Sequence, residues 1–106
     1  MSELQARQKL EVLVRFMMAG DGSFKQRLSE VYRHPTMGLR QIPVNFFPPE
    51  LRPKFKELLE SMDINEQKPM KNVEKMALMD ELFFLYKRLD GIISRKEEAI
   101  ARNRQV

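Results

Sequence analysis

The chain reads as an all-α protein: a small bundle of about four helices with a proline-rich irregular crossover between the second and third. Three observations predict this. Apolar residues recur at three- and four-residue spacing in four separate stretches, which is the period of one face of a helix. No stretch alternates apolar and polar residues as a half-buried strand does. The punctuating residues Gly20-Asp21-Gly22, Pro35, Pro43, Pro48, Pro49 and Pro69 fall between those stretches. At 106 residues there is material for one domain. It is expected over residues 1–94, with 95–106 as a charged helical extension or a frayed tail.

The first helix is expected over residues 3–19. Ala6, Leu10, Leu13 and Met17 form its inward stripe, Val14 and Met18 lie beside it, and Gln5, Gln8, Glu11 and Arg15 take the other side. Gly20 stands where a helix commonly ends in a left-handed cap, and Asp21-Gly22 makes a tight turn. Ser23 follows as an N-cap whose hydroxyl can accept from a free backbone N–H, and Gln26 completes a capping box. Phe24, Leu28, Val31 and Tyr32 carry the second helix to Arg33 or His34. Pro35 ends it, because the proline ring crowds the preceding residue out of the helical region. The short turn makes the two helices an antiparallel hairpin.

Residues 35–49 contain four prolines and Gly38, which forbids a regular helix. The same stretch carries Leu39, Ile42, Val44, Phe46 and Phe47, which do not suit a solvated linker. It is expected to be extended and to insert side chains among the helices. The third helix begins near Glu50 or Leu51, with Pro53 tolerated only in the first turn, where backbone donors lack helical acceptors. Leu51, Phe55, Leu58, Leu59 and Met62 make its stripe, and Asp63 to Lys71 reads as a polar connection. The fourth helix starts between Met70 and Asn72. Leu78, Leu82, Leu85, Leu89 and Ile92 form one ridge; Val73, Met76, Phe83 and Tyr86 form another. So wide an apolar surface implies burial on two sides. Gly91 costs about 1 kcal/mol inside a helix, so a bend and a continuous helix both remain open there.

Composition removes several function classes. With no Cys and one His, there is no zinc finger, disulfide scaffold or cysteine nucleophile. His34, at a helix end before Pro35, is expected to cap the last carbonyls. Glu57, Glu60 and Asp63 are spaced to share a cation, but Lys54 and Lys56 stand nearby, so they read as a solvated face. Gly20-Asp21-Gly22 lacks the third glycine and preceding strand of a dinucleotide loop. The expectation is no enzyme, no cofactor and no metal. The longest apolar run, Leu82 to Tyr86, is five residues, against roughly 18–20 for a membrane span. The opening residues show no secretory pattern. A cytoplasmic protein is expected.

The net charge of +4 invites a nucleic-acid reading. Its distribution weakens that reading, because residues 41–106 hold twelve basic and eleven acidic groups in alternation. Lys87, Arg88, Arg95, Lys96, Arg102 and Arg104 are the candidate phosphate contacts for this alternative. The favoured reading is interaction with another protein, identity open, as a homodimer. A chain this short buries only about 60–65% of its unfolded surface, so association stabilises it. Eight methionines, with Met17, Met18, Met62, Met76 and Met79 on helices, suit surfaces that repack on a partner. Phe83, Tyr86, Leu89, Ile92, Ile93 and Ile100 are the candidate seam on the fourth helix. Phe46 and Phe47 are candidate anchors in the crossover. A small regulator, such as an inhibitor of a transcription factor, fits this pattern, as does an adaptor or chaperone.

Overall fold

The computed structural model describes the backbone of residues 2–19, 22–68 and 70–104, and their side chains except those of Ser2 and Arg104. Four helices follow one another: α1 (Ser2–Ala19), α2 (Phe24–Arg33), α3 (Arg52–Gln67) and α4 (Asn72–Arg104). No strand occurs among the described residues. At about 1.5 Å rise per residue, the 33 residues of α4 span nearly the whole 55 Å length of the molecule. The other elements pack along it.

The predicted stripes meet in one core. Ala6, Leu10, Leu13 and Met17 of α1, Leu28, Val31 and Tyr32 of α2, and Phe55, Leu58 and Met62 of α3 are buried with Leu78, Leu82, Leu85, Leu89, Ile92 and Ile93 of α4. Two ion pairs set how α1 lies on α4. Glu3 meets Lys96 at 2.8 Å and Arg7 meets Asp90 at 3.3 Å. Chain number rises along α1 as it falls along α4, so the two are antiparallel. These pairs are partly exposed and contribute register more than stability.

The turn before α2 forms as its residues dictate. Gln26 N donates to Ser23 Oγ at 3.2 Å, and Ser23 N donates to Gln26 Oε1 at 2.9 Å. Gly22 precedes the cap at φ 93°, a conformation that side chains with a Cβ rarely adopt. The expected cap at Gly20 and the turn residue Asp21 lie outside the described residues. Arg27 reaches back to donate to Met17 O at 3.0 Å, satisfying a carbonyl in the last turn of α1.

The crossover differs from an extended strap. It folds into two 3-10 turns, Leu39–Gln41 and Val44–Phe46, closed by Ile42 N to Leu39 O and Phe47 N to Val44 O. The prolines forbid long helices but not single turns, in which few amides need partners. Leu39, Ile42 and Phe47 are buried, as insertion requires, while Val44 and Phe46 are half-buried. His34 does not cap the last carbonyls with its ring. Its backbone N–H donates to Glu30 O, and its Nδ1 accepts from Met37 N at 3.0 Å. The ring therefore shapes the turn that leaves α2.

α3 also runs farther than its apolar stripe, through Asp63 to Gln67. Its last turn is polar because it is held by directional bonds instead of hydrocarbon. Tyr32 donates its hydroxyl proton to Asp63 at 3.1 Å, and Arg33 pairs with Glu66 at 3.1 Å. Buried Asn65 accepts from Met70 N at 3.2 Å and so closes the connection to α4. Pro69, in that connection, lies outside the described residues. α4 then continues unbroken through Gly91 to Arg104. Of the second α4 ridge, Val73 and Met76 are exposed, while Phe83 and Tyr86 are half-buried.

Three stability predictions follow from this packing. Asn65→Ala leaves Met70 N without its acceptor and lowers stability by about 1–3 kcal/mol in chemical denaturation. Gly91→Ala raises it by up to about 1 kcal/mol, because a Cβ there meets nothing within 4 Å. Burial, together with the bond and charge of Asp63, raises the pKa of the Tyr32 hydroxyl above the ordinary 10.0. The unfolded chain therefore loses this proton first. The Tyr32 contribution is complete below pH 10.0 and is lost as pH rises through the raised value. The stability difference between wild type and Tyr32→Phe should shrink over that alkaline range.

Candidate functional site

The 43–49 end of the crossover lies against the start of α1 and the distal part of α4. Between them runs a groove lined by Glu3, Leu4, Asn45, Phe46, Phe47, Pro48, Pro49, Arg52, Ile93, Lys96, Glu97 and Ile100. Each wall has a local cause. Pro48 O accepts from Leu51 N at 2.9 Å, so the double proline leads straight into the first turn of α3. Arg52 turns back, and its Nε donates to Phe47 O at 2.9 Å, fixing the crossover at that corner. Lys96 is held by both carboxylate oxygens of Glu3, at 2.8 and 2.9 Å. The floor is hydrocarbon; on the rim Arg52 and the Glu3–Lys96 pair are tied down, and Glu97 is exposed.

Adjacent phenylalanines divide the work. Phe47 is buried and stacks on Phe55, with ring centroids 4.3 Å apart. Phe46, the next residue back, is half-buried at the groove. Ile100 lies seven residues, two helical turns, beyond Ile93 on the same side of α4, and it is 49% exposed because the core ends before it. The fold thus brings together Phe46 and Ile100, which are 54 positions apart in the chain.

The other candidate residues distribute differently. Leu89, Ile92, Ile93 and Phe47 are buried in the chain's own core. They are not an open seam, because α1 and the crossover reach far enough along α4 to cover them. Phe83 and Tyr86 are half-buried against the same core. Among the basic candidates, Lys96 is committed to Glu3. Lys87, Arg88, Arg95 and Arg102 are exposed and form no ion pair among the described residues; Arg88 lies over the Phe84 ring at 5.9 Å. The Arg104 side chain lies outside the described ones. Met17 and Met62 are core residues, whereas Met18 and Met76 are exposed.

Leu4, Asn45, Arg52 and Glu97 join the groove without any signal in the sequence. Leu4 falls outside the α1 stripe, and the other three are ordinary surface residue types. Among the described residues, no group of three or more His, Asp or Glu is placed to hold a metal, and no helix is long and apolar enough to cross a membrane. No protein-family model, curated protein or solved structure matches the chain.

The two phenylalanines are separable by substitution. Phe47→Ala removes a fully packed ring and should cost about 3–5 kcal/mol in thermal or chemical unfolding. Phe46→Ala should cost markedly less, because its ring is already partly in water.

Proposed function

We propose that the chain is a small, non-catalytic cytoplasmic protein that binds another protein, as a regulator such as an inhibitor of a transcription factor, or as an adaptor or chaperone. The observation that carries this reading is the groove in which Phe46 and Ile100 remain partly uncovered beside the buried Ile93. An apolar side chain of a partner, set on a short helix or strand, gains by leaving water there at about 25 cal/mol per Å². The rim suits recognition more than chemistry. Lys96 is neutralised by Glu3 and the Arg52 guanidinium is occupied by a backbone carbonyl, so neither is free to act on a substrate.

The nucleic-acid alternative draws on Arg88, Arg95 and Arg102, which recur every seven residues and so share one side of α4. Glu98 lies on that side as well, three residues after Arg95 and four before Arg102. A phosphate backbone has nothing to offer a carboxylate, whereas a protein surface of mixed sign does. The protein reading is therefore preferred.

The test uses Phe46→Asp combined with Ile100→Asp. Both sites are at least partly exposed, so helix content by circular dichroism should stay unchanged. Proteins recovered with the wild-type chain from its native cells should be lost with the double variant. Equal recovery by both forms removes the groove from the function. In parallel, labelled duplex DNA and RNA should not shift at low salt; a shift that weakens steeply with salt would favour the phosphate reading instead.

A further inference from the structure

Among the described residues, the side of α4 turned away from its buried ridge is bordered only by α3, where Asp80, Glu81 and Phe84 line a cleft with Lys54 and Glu57, and most of its charges are sorted along its length. Toward the start lie Glu74, Asp80 and Glu81; toward the end lie Lys87, Arg88, Arg95 and Arg102, with Glu98 as the one acid among them. Between the two blocks, Phe84 is 54% exposed. One heptad on, Gly91 has no side chain, a Cβ there would meet nothing within 4 Å, and Arg95 Nε donates to its carbonyl at 3.3 Å. We propose that this face binds the same face of a second copy, with the two α4 helices antiparallel and the two-fold axis passing between Lys87 and Arg88.

The pairing follows from position along the helix. With the axis at that point, Phe84 of each copy stands level with Gly91 of the other, so a bulky ring meets the place where the helix has no side chain. In the same register Asp80 is level with Arg95 of the second copy, and Glu81 with Ser94. Each end of the contact thereby sets Asp80 and Glu81 of one copy beside Arg95 of the other, with Glu98 of that copy as the one like charge nearby, and the two ends are equivalent as an isologous interface requires. The parallel alternative sets Arg88 against Arg88 and Arg95 against Arg95, which like-charge repulsion opposes. Antiparallel alignment also places opposite helix dipoles side by side. Lys87 and Arg88 meet their own copies beside the axis, and Arg88 is drawn over its own Phe84 ring. That repulsion makes the dimer weak and dependent on concentration. The face is distinct from the groove, which contains Ile93 and Ile100 on the opposite side of the helix, so the dimer does not rest on the function proposed above.

Sedimentation across a concentration series tests the proposal. Wild type should pass from monomer to dimer. Phe84→Glu and Asp80→Arg should each move the midpoint to about tenfold higher concentration or more, a loss of roughly 1.4 kcal/mol. Asp80→Arg combined with Arg95→Asp should restore it, and Ile100→Asp should leave it in place. The chain has no cysteine, so introduced ones report orientation. Lys87→Cys should form a disulfide-linked dimer on oxidation, whereas Ala77→Cys, far from its own copy in the antiparallel pair, should not. All these positions lie on the outer face or the groove rim, so the fold survives the changes. A wild-type chain that stays monomeric throughout overturns the proposal, as does a midpoint insensitive to Phe84→Glu, a charge swap that fails to restore association, or equal cross-linking at residues 77 and 87.

Discussion

Every other element of this molecule depends on burial of the Leu78–Ile93 ridge of α4. A helix of 33 residues has little stability in water from its backbone alone, and it gains most from the face it removes from solvent. Here α1 covers the distal half, α3 the proximal half, and α2 with the crossover fills the remaining space. Leu82, Leu89 and Phe55 are completely shielded at the centre of this arrangement. The short helices are in turn too small to stand alone, so the ridge is a template for them as much as they are a cover for it.

Polar contacts decide where the apolar stripes are allowed to sit. The Glu3–Lys96 and Arg7–Asp90 pairs place α1 on α4 in a single register. Tyr32–Asp63 and Arg33–Glu66 join α2 to the last turn of α3, where no hydrocarbon stripe remains. Asn65 completes the set by accepting the Met70 amide inside the bundle. The ion pairs are partly exposed and modest in net energy, but a misplaced helix would leave buried Asn65 or the Tyr32 hydroxyl without its partner, and that is costly. Packing supplies the stability and these few bonds supply the specificity.

The groove arises where the cover runs out. α1 begins at Ser2, level with the Lys96 turn of α4, while α4 continues to Arg104. Ile93 is therefore buried and Ile100 is not, although both occupy the same side of one helix. The crossover meets this boundary with adjacent phenylalanines, one committed to Phe55 and the other left at the opening. The opposite side of α4 is bordered by α3 near Phe84 and is otherwise uncovered among the described residues.

Much of the fold was legible in the residues themselves. Helical periodicity, the Ser23–Gln26 capping box and the stop at Pro35 are local, governed by neighbours within a few positions, and each appears where the chain places it. The insertion of Leu39, Ile42 and Phe47 was also readable, because such side chains have no reason to remain in water. Two features were not legible, for one reason. The polar end of α3 and the choice of which apolar residues stay uncovered both depend on contacts between positions distant in the chain, whereas the 3-10 turns of the crossover are closed by bonds three residues apart that no apolar period marks. Periodicity shows that Leu89, Ile93 and Ile100 share a side of α4, but not how far α1 reaches along it. Four helices and their inward stripes can be read from the residues alone, since those follow from local backbone and burial preferences. That the seam residues are core and that Phe46 and Ile100 share a groove is set by the assembled bundle, because coverage is a property of where other elements end.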